Sequence, residues 1–324
     1  MKKVKVGFIG VGGIATVHLN NVAKNEEAEI VAVCDISKEN VEKQGKAFQA
    51  TTYTDYEEML EKEELDAIFM SVPPFAHGDM EEKIVGKGIH LLVEKPLGLD
   101  ADVAIKKAKV IRDSGVINAS GYCLRYLDTV QKAKEYLADK KVAMVRGHYI
   151  TGFVETPWYR IESKSGGQLV EQSTHILDMM AYLAGDIEKV SANMALQVMG
   201  DIENIDIPDV TSVNATFESG AVGHLDSSFI QPDHRMGVEL MGRDFRVEID
   251  GTSLIIVDKD KTTTFKSSVD FYEVQDSAFI EAVKTNNQDL ILSSYEDGLK
   301  TLIASLAANR SNKTEKTVYI SEFS

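Results

Sequence analysis

Cysteine, long apolar runs and positive charge are all scarce in this sequence, and each scarcity narrows the class of protein. The 324 residues include two cysteines, Cys34 and Cys123, each inside an apolar strand-like run, which favours buried thiols over a disulfide framework. No segment approaches the ~18 consecutive apolar residues of a membrane-spanning helix. The first residues lead into a glycine turn and not into a signal-peptide cleavage site. We therefore expect a soluble, cytoplasmic protein.

Negative charge outweighs positive charge, because 35 Lys and Arg residues face 51 Asp and Glu residues, for a formal net charge of −16. This balance repels nucleic-acid phosphates and anionic membrane surfaces, so we expect neither as a partner. No Cys/His spacing predicts a zinc site, and neither the GxxxxGKS/T motif of NTPases nor the GxSxG motif of hydrolases occurs. We expect a small-molecule partner and no metal.

The chain alternates between strand-like and helix-like segments as far as Gly121. Short runs rich in β-branched residues are separated by segments of helical periodicity, such as 76–86 and 101–113. This alternation predicts an α/β domain with a doubly wound parallel sheet, whose ligands bind at the carboxyl ends of the strands. The strand-like runs are VKVGFIG, EIVAVCD, LDAIFMSVPP, HLLVEKP and VINASGY.

The pattern changes after Gly121. Helical segments over 128–138 and 171–184 are followed by several strand-like runs without intervening helices. The Ser-Gly step in FESGAV is typical of a hairpin, so this half predicts an α+β domain with a mostly antiparallel sheet. Helical segments return at 275–285 and 295–308.

Four glycines crowd the stretch GFIGVGGIA at the end of the first predicted strand. Gly10, Gly12 and Ala15 fit the dinucleotide fingerprint GxGxxG/A, in which the glycines form the turn and admit a pyrophosphate. Gly13 and Ile14 lie at the N-terminus of the following helix, where partial positive charge favours phosphate. A glycine turn that binds no phosphate is the alternative.

Asp35 favours dinucleotide binding, because it ends the second predicted strand, where an acid accepts hydrogen bonds from the adenosine ribose. Its carboxylate repels a 2′-phosphate and no arginine follows in DISKENVEK, so NAD is favoured over NADP. NADP stays open, because Ser37 and Lys38 could bind a phosphate, and a solvated helix start is their other interpretation. Ser37 is thus a candidate cofactor contact.

Polar residues at two further strand ends extend the predicted cofactor site. Ser71, Pro73 and His77 lie in SVPPFAH. Glu94 and Lys95 lie in HLLVEKP, and charges at the tip of a buried strand are costly unless they have firm partners or a function. A structural salt bridge is the alternative for Glu94 and Lys95, and a capping or surface role is the alternative for His77.

A second polar group lies in GGQLVEQSTHILDMMAYLAG. Glu171, His175 and Asp178 are spaced by four and three residues, which places them on one face of a predicted helix. We expect Asp178 to fasten this helix to a neighbouring segment. A capped, solvated helix flank is the alternative for the whole group.

The order of GFIGVGGIA, VAVCD, SVPPFAH, VEKPL, GYCLRY and GGQLVEQSTHILD resembles the family of glucose-fructose oxidoreductase, inositol dehydrogenase and MocA-like proteins, over essentially the whole chain. The resemblance implies an N-terminal Rossmann domain, a C-terminal domain with a large open antiparallel sheet, homo-oligomers built through that sheet, and sugar, inositol or polyol substrates. It matches Glu171 and His175 to an acid–histidine pair. The family's acid is commonly Asp, so whether the longer Glu171 touches substrate or orients His175 stays open.

We therefore expect an NAD(P)-binding Rossmann domain over 1–122 and a substrate-binding and oligomerisation domain over 123–324. The C-terminal helices could pack back on the first domain. The expected assembly is a dimer or tetramer.

The predicted chemistry is oxidation of a secondary alcohol, in which hydride goes to a nicotinamide and the hydroxyl proton goes to a base. His175 is the predicted proton acceptor, Lys95 orients the substrate oxygen and stabilises its developing charge, and Glu171 binds substrate or tunes His175. Lys95 is the alternative base.

Tyr122, Arg125 and Trp158 are predicted substrate contacts, because aromatic rings stack on sugar rings and arginine offers planar donors. Ordinary packing is the alternative for all three. Two other functions stay open. One is transient use of bound NAD for net non-redox sugar chemistry, and the other is a non-catalytic dinucleotide sensor.

Overall fold

A computed structural model describes residues 3–323. The chain forms two compact units. The first unit contains the chain up to Leu97, together with Val103–Tyr126 and Asp270–Gly298. The second contains Gly98–Asp102, Leu127–Val269 and the chain from Leu299 onward.

Six parallel strands form the sheet of the first unit. Their order across the sheet is 3-2-1-4-5-6, which reverses direction between the first and fourth strands. Doubly wound sheets bind ligands at this reversal, outside the carboxyl ends of the strands. The predicted α/β fold is therefore confirmed. The strands are β1 (Val4–Ile9), β2 (Ala28–Cys34), β3 (Thr51–Tyr53), β4 (Ala67–Met70), β5 (His90–Val93) and β6 (Asn118–Ser120).

Ten α-helices lie within residues 3–323. Short 3₁₀ turns occur at Pro74–Ala76, Cys123–Tyr126, Gln288–Leu290 and Ile320–Phe323, and a π-helical turn occurs at Leu169–Ser173. The helices are α1 (Gly13–Lys24), α2 (Lys38–Phe48), α3 (Tyr56–Lys62), α4 (Met80–Gly86), α5 (Ala101–Ser114), α6 (Asp128–Leu137), α7 (Glu162–Ser165), α8 (Thr174–Ala184), α9 (Phe271–Thr285) and α10 (Tyr295–Thr314).

The core of the first unit forms because β4 is apolar on both faces and fully buried. Phe69 of β4 stacks on Phe8 of β1 with ring centroids 5.0 Å apart. It also meets Phe279 of α9 edge-on at 5.2 Å. A helix from late in the sequence therefore covers the centre of the N-terminal sheet.

The second unit is built on a nine-stranded sheet in the order 14-13-12-11-7-10-9-8-15. One neighbouring pair, the seventh and tenth strands, is parallel and the other pairs are antiparallel, which confirms the prediction of a mostly antiparallel sheet. The predicted hairpin turn falls at Ser219 and Gly220. The strands are β7 (Val142–Ile150), β8 (Ile187–Ala195), β9 (Val210–Phe217), β10 (Val222–Ser228), β11 (Arg235–Gly242), β12 (Phe245–Asp250), β13 (Ser253–Asp258), β14 (Thr262–Lys266) and β15 (Val318–Tyr319).

The two faces of this sheet differ in what covers them. On one face α8 lies so close to β7 that a side chain at Gly147 would meet Ile176 and Met180. On the other face Met144 and Val222, which pair across β7 and β10, are 44% and 49% exposed. The second face thus presents apolar side chains to solvent in the single chain.

The boundaries of four helices differ by more than one residue from the sequence-based prediction. Helix α4 begins at Met80 and not at 76, because a separate 3₁₀ turn at Pro74–Ala76 comes first. Helix α9 begins at Phe271 and not at 275, because the Asp270 carboxylate caps its first turn by accepting from the Tyr272 and Glu273 amides. Helix α10 continues to Thr314, past the predicted end at 308. The helix predicted over 171–184 is α-helical only from Thr174, because a π-helical turn precedes it. Within 3–323, no helix combines the length and apolar content needed to cross a bilayer.

Candidate active site

The turn after β1 passes the end of β4 at very short distance. Gly10 has a φ of +80°, and a Cβ placed there would lie 2.4 Å from the Ser71 carbonyl oxygen. Only glycine tolerates both the left-handed conformation and this approach. Gly10 thus fixes the turn, in the role that the fingerprint assigns to its first glycine.

The N-terminus of α1 is open. Gly12 is its N-cap residue, and within residues 3–323 no side chain caps this helix. Atoms added at Gly12 or Gly13 would meet nothing within 4 Å, whereas Ala15 is fully buried. Uncapped amides and open space suit a pyrophosphate, which needs close approach to backbone N–H groups. Ile14 is half-buried in the same turn.

Asp35 is tied to this turn by two backbone amides. Its Oδ2 accepts from Val11 N at 2.9 Å, and its Oδ1 accepts from Ser37 N at 2.8 Å. A carboxylate has further lone pairs, so Asp35 can still accept from ribose hydroxyls. Ser37 caps α2 through its hydroxyl, which accepts from Asn40 N.

Ile36 was missed by the sequence analysis. Its side chain is 96% exposed directly after Asp35. An exposed apolar side chain beside a ribose-binding acid can pack against a planar base. The sequence does carry a signal for this residue, because Ile36 directly follows Asp35 at the end of the second predicted strand.

The turn after β4 carries three of the predicted cofactor contacts. The Ser71 hydroxyl is buried, and it has no hydrogen-bond partner among residues 3–323. Such a group suits a ligand that supplies the partner. Pro73 precedes the 3₁₀ turn at 74–76.

His77 has partners within the protein at both ring nitrogens. Its Nδ1 lies 2.9 Å from Glu81 Oε1, and its Nε2 lies 3.3 Å from the Val72 carbonyl oxygen. Glu81 is also paired with the buried Lys107 at 2.7 Å. The cofactor role of His77 stays a prediction, and this geometry favours a structural role.

Glu94 is 5% exposed and belongs to a buried charge cluster. Its Oε1 lies 3.0 Å from His18 Nε2, and its Oε2 accepts from the Lys95 amide at 3.1 Å. On the opposite edge of the ring, His18 Nδ1 lies 2.8 Å from Asp276 Oδ1. Asn21 donates to Asp276 Oδ2 at 2.9 Å. The Glu94 carboxylate is therefore anchored inside the protein, which supports a structural role beside the predicted cofactor contact.

The sequence analysis missed this cluster, because His18 and Asp276 are 258 residues apart. Burial by itself would lower the pKa of His18, but the hydrogen bonds that the ring donates to the Asp276 and Glu94 carboxylates outweigh this effect and raise the pKa from 6.5 to about 10. The ring is a cation between two carboxylates at neutral pH.

Tyr122 and Arg125 are buried, with exposures of 1% and 6%. The Arg125 guanidinium donates to the Leu292 carbonyl oxygen at 2.8 Å and lies 3.6 Å from Asp297. These contacts favour the packing alternative, and substrate contact by either residue stays a prediction.

The predicted catalytic residues of the second unit flank a change in helix type. Residues Leu169–Ser173 form a π-helical turn that carries Glu171, and His175 lies in the first turn of α8. The Ser173 hydroxyl donates to the Gln168 carbonyl oxygen, five residues back, which supports the wider turn. Turns of this kind occur often at functional sites.

Asp178 fastens α8, as expected. Its Oδ1 accepts from the Thr301 hydroxyl of α10 at 2.9 Å, and both residues are buried. This hydrogen bond joins α8 to α10 three residues after His175, so Asp178 helps to hold in place the helix that carries His175.

Trp158 is half-buried and meets Tyr159 edge-on at 6.2 Å. Both belong to an apolar cluster that includes Phe153 and Phe229. Burial raises the pKa of the Tyr159 hydroxyl, and the charge of Glu171 adds to the shift. Substrate contact by Trp158 stays a prediction.

Metal binding has no candidate among residues 3–323, because no group of three His, Cys, Asp or Glu side chains could hold an ion there. The first unit instead offers an open helix N-terminus, an acid at the end of β2 and a buried hydroxyl at the end of β4. These features fit a dinucleotide. Backbone amides, a carboxylate and a hydroxyl are the groups that can hydrogen-bond to phosphate and ribose oxygens.

Comparison with known proteins agrees with this geometry. Residues 4–122 match the GFO/IDH/MocA model, described as an oxidoreductase family with an NAD-binding Rossmann fold. Residues 130–257 match the GFO/IDH/MocA C-terminal domain.

Two relatives illustrate the match along the chain. The uncharacterized oxidoreductase YrbE of Bacillus subtilis is 27% identical, over 90% of this chain and 85% of that protein. Myo-inositol 2-dehydrogenase of Thermotoga maritima is 25% identical, over 98% of this chain and 99% of that protein. Levoglucosan dehydrogenase in complex with NADH and levoglucosan shares the fold, with a TM-score of 0.90 at 16% identity, over 98% of this chain and 100% of that chain.

The glycine turn yields a paired prediction. Gly12→Ala should raise the Kd for NAD about tenfold or more, because the methyl group would fill space that the pyrophosphate needs. Its melting temperature should change by less than about 2 °C, since the backbone there is extended and nothing lies within 4 Å. Gly10→Ala should instead lose about 1–3 kcal/mol of stability or more, through the clash with Ser71. Calorimetric titration and thermal melts measure both, and unchanged NAD affinity in Gly12→Ala would place the pyrophosphate elsewhere.

The buried histidine predicts a pH dependence of stability. The pKa of His18 is raised on folding, so its contribution is complete below pH 6.5 and is lost as pH rises toward about 10. The melting temperature of the wild-type protein should therefore fall across this window by more than that of His18→Gln. Parallel melting curves of the two proteins would contradict the cation between two carboxylates.

Proposed function

We propose, because the chain belongs to the GFO/IDH/MocA oxidoreductase family, that it transfers hydride between NAD and a secondary alcohol of a cyclic polyol or sugar. The observation that carries this proposal is the open, uncapped helix N-terminus at Gly12 beside Asp35. The substrate class follows the names of relatives, among them a myo-inositol 2-dehydrogenase.

NAD is the cofactor of this family, and the chain's residues divide its binding between them. Gly12, Gly13 and Ile14 would hold the pyrophosphate, and Asp35 would accept from the adenosine ribose. Ser71 and Pro73 would line the path toward the nicotinamide. When bound, NAD supplies the hydride acceptor. We propose NAD over NADP, because the Asp35 carboxylate would repel a 2′-phosphate.

Three side chains carry the proposed proton chemistry. His175 accepts the hydroxyl proton, since an imidazole changes charge near neutral pH. Lys95 donates a hydrogen bond to the substrate oxygen and stabilises its developing negative charge. Glu171 orients His175 or binds a further substrate hydroxyl. Glu171 lies in the π-helical turn directly before α8, and turns of this kind occur often at functional sites, which supports this assignment.

The organisation of the chain is part of the proposal. We assign 1–122 to cofactor binding and 123–324 to substrate binding and assembly, in a cytoplasmic protein. Inclusion of 270–298 in the first compact unit supports the idea that C-terminal helices return to the cofactor domain.

We further propose a homodimer or homotetramer formed through the exposed face of the large sheet. A single chain leaves Met144, Val222 and Tyr319 of this face 44%, 49% and 43% exposed. Burying such side chains against a second copy stabilises an assembly.

The proposed activity is tested by offering the protein with NAD or NADP a panel of inositols, aldoses and sugar acids. Absorbance of the reduced cofactor should grow with NAD and one substrate class. A protein that binds NAD but reduces none across the panel would instead favour transient redox chemistry or a sensor.

Lys95→Ala and His175→Ala should each lower kcat by about 100-fold or more, because each removes a group that acts in the transition state. The Kd for NAD should stay within a few-fold of wild type. Lys87→Ala removes an exposed lysine of the same unit and serves as the matched control. Full activity of both site variants on the true substrate would refute the assignment.

Val222→Glu should shift the protein to a smaller species in light scattering after size-exclusion chromatography, because it places a charge on the exposed sheet face. Val110→Glu, at a 41% exposed position of α5, should leave the assembly unchanged. Equal masses for wild type and Val222→Glu would point to a different interface.

A further inference from the structure

His18, Glu94 and Asp276 form a cluster of three buried charged side chains, in which the histidine ring lies between the two carboxylates. The exposures of these three residues are 0%, 5% and 2%. The ring of His18 also packs against Phe69 and Tyr272, with centroids 5.5 and 5.9 Å away. Both ring nitrogens have a carboxylate partner and two aromatic rings lie beside the buried imidazole, so the ring has little freedom to rotate.

Charge and hydrogen bonding hold the Glu94 carboxylate from several sides. Its two partners are the His18 ring at Oε1 and the Lys95 amide at Oε2. A Cβ at Gly121 would lie 2.5–2.6 Å from the atoms of this carboxylate, so the backbone after β6 closes over it. Glu94 cannot change rotamer without displacing its neighbours.

The Glu94 carboxylate is also the connection between the cluster and Lys95. It holds the amide of the residue that directs the proposed chemistry, at the end of β5. If His18 is lost, the two buried carboxylates lose the cation that lies between them, which favours movement of one of them toward water or uptake of a proton. Release of Glu94 would remove the acceptor that the Lys95 amide has in Glu94 Oε2.

We propose that His18, fixed by Asp276, is a positioning residue for hydride transfer, acting through the Glu94 carboxylate on the backbone of Lys95. This inference rests on the proposed function of Lys95. A purely structural role, in which the cluster only fastens α9 to α1, is the competing explanation. The two explanations differ in what happens to Lys95 in a folded variant.

The test compares His18→Gln with wild type. The substitution removes the charge and one of the two opposed donors. At saturating NAD and substrate, kcat per NAD-binding site should fall about tenfold or more, since small misplacements of a catalytic group are costly. The Kd for NAD should stay within about threefold. Asp276→Asn keeps an acceptor for the His18 ring, so this variant should retain most of the wild-type kcat.

A second readout needs neither substrate nor cofactor. Hydrogen exchange of the Lys95 amide should accelerate about tenfold or more in His18→Gln, whereas the Leu92 amide in the middle of β5 should change less. Ser311→Ala removes a buried hydroxyl of α10 that hydrogen-bonds Ala192 and Lys316, and it controls for general loss of stability. It should lower the melting temperature without changing exchange at Lys95.

Exchange separates failure of this inference from failure of the proposed function. If the wild type oxidises no polyol but Lys95 exchange still accelerates in His18→Gln, the proposed function fails and the positioning link stands. If exchange at Lys95 and Leu92 rises equally, or kcat is unchanged, the cluster is structural and the inference is overturned.

If His18→Gln does not fold, the pair Glu94→Gln and Glu94→Ala replaces it. Glutamine keeps an acceptor for the Lys95 amide and alanine does not, so exchange at Lys95 should be faster in the alanine variant. Equal exchange in the two variants would overturn the link.

Discussion

The close passage of Gly10 by the end of β4 is the constraint on which the candidate site depends. Because the turn lies against the Ser71 carbonyl oxygen, position 10 must be a glycine, and α1 begins three residues later at Gly13. The amide of Val11 then meets the Asp35 carboxylate, and the helix N-terminus opens at Gly12. The uncapped N-terminus of α1, the Asp35 carboxylate and the end of β4 thus meet at the carboxyl ends of the strands, where we propose that the cofactor binds.

The buried cluster of His18, Glu94 and Asp276 contacts the backbone just after β5, through the Glu94 carboxylate and the Lys95 amide. The charges of this cluster depend on one another, because loss of one partner of a buried ion pair leaves an uncompensated charge. We interpret the cluster as a fixed support for the Lys95 backbone. Asp276 of α9 holds one edge of the His18 ring, the other edge holds Glu94, and Glu94 accepts from the Lys95 amide.

Local patterns in the sequence predicted much of the fold and the cofactor edge, because strand runs, glycine turns and strand-ending acids act over short distances. The alternation to Gly121, the hairpin at FESGAV and the turn at Gly10 were all predictable in this way. The His18–Asp276 contact was not, since it joins residues far apart in the chain. The π-helical turn before His175 was equally hidden, because Glu171 and His175 have the spacing of an ordinary helix and the Ser173 bond to Gln168 leaves no periodic signal.

The most direct test of hydride transfer follows a deuterium label from the substrate carbon to the cofactor. The protein and NAD would be incubated with inositols and sugars deuterated at their ring carbons, and the reduced cofactor would be analysed by mass spectrometry. We expect NADH that carries deuterium from the substrate carbon, formed by the wild type and about 100-fold or more slowly by His175→Ala. Reduced cofactor without deuterium, or product formed while the deuterium is lost to solvent, would contradict direct transfer to NAD.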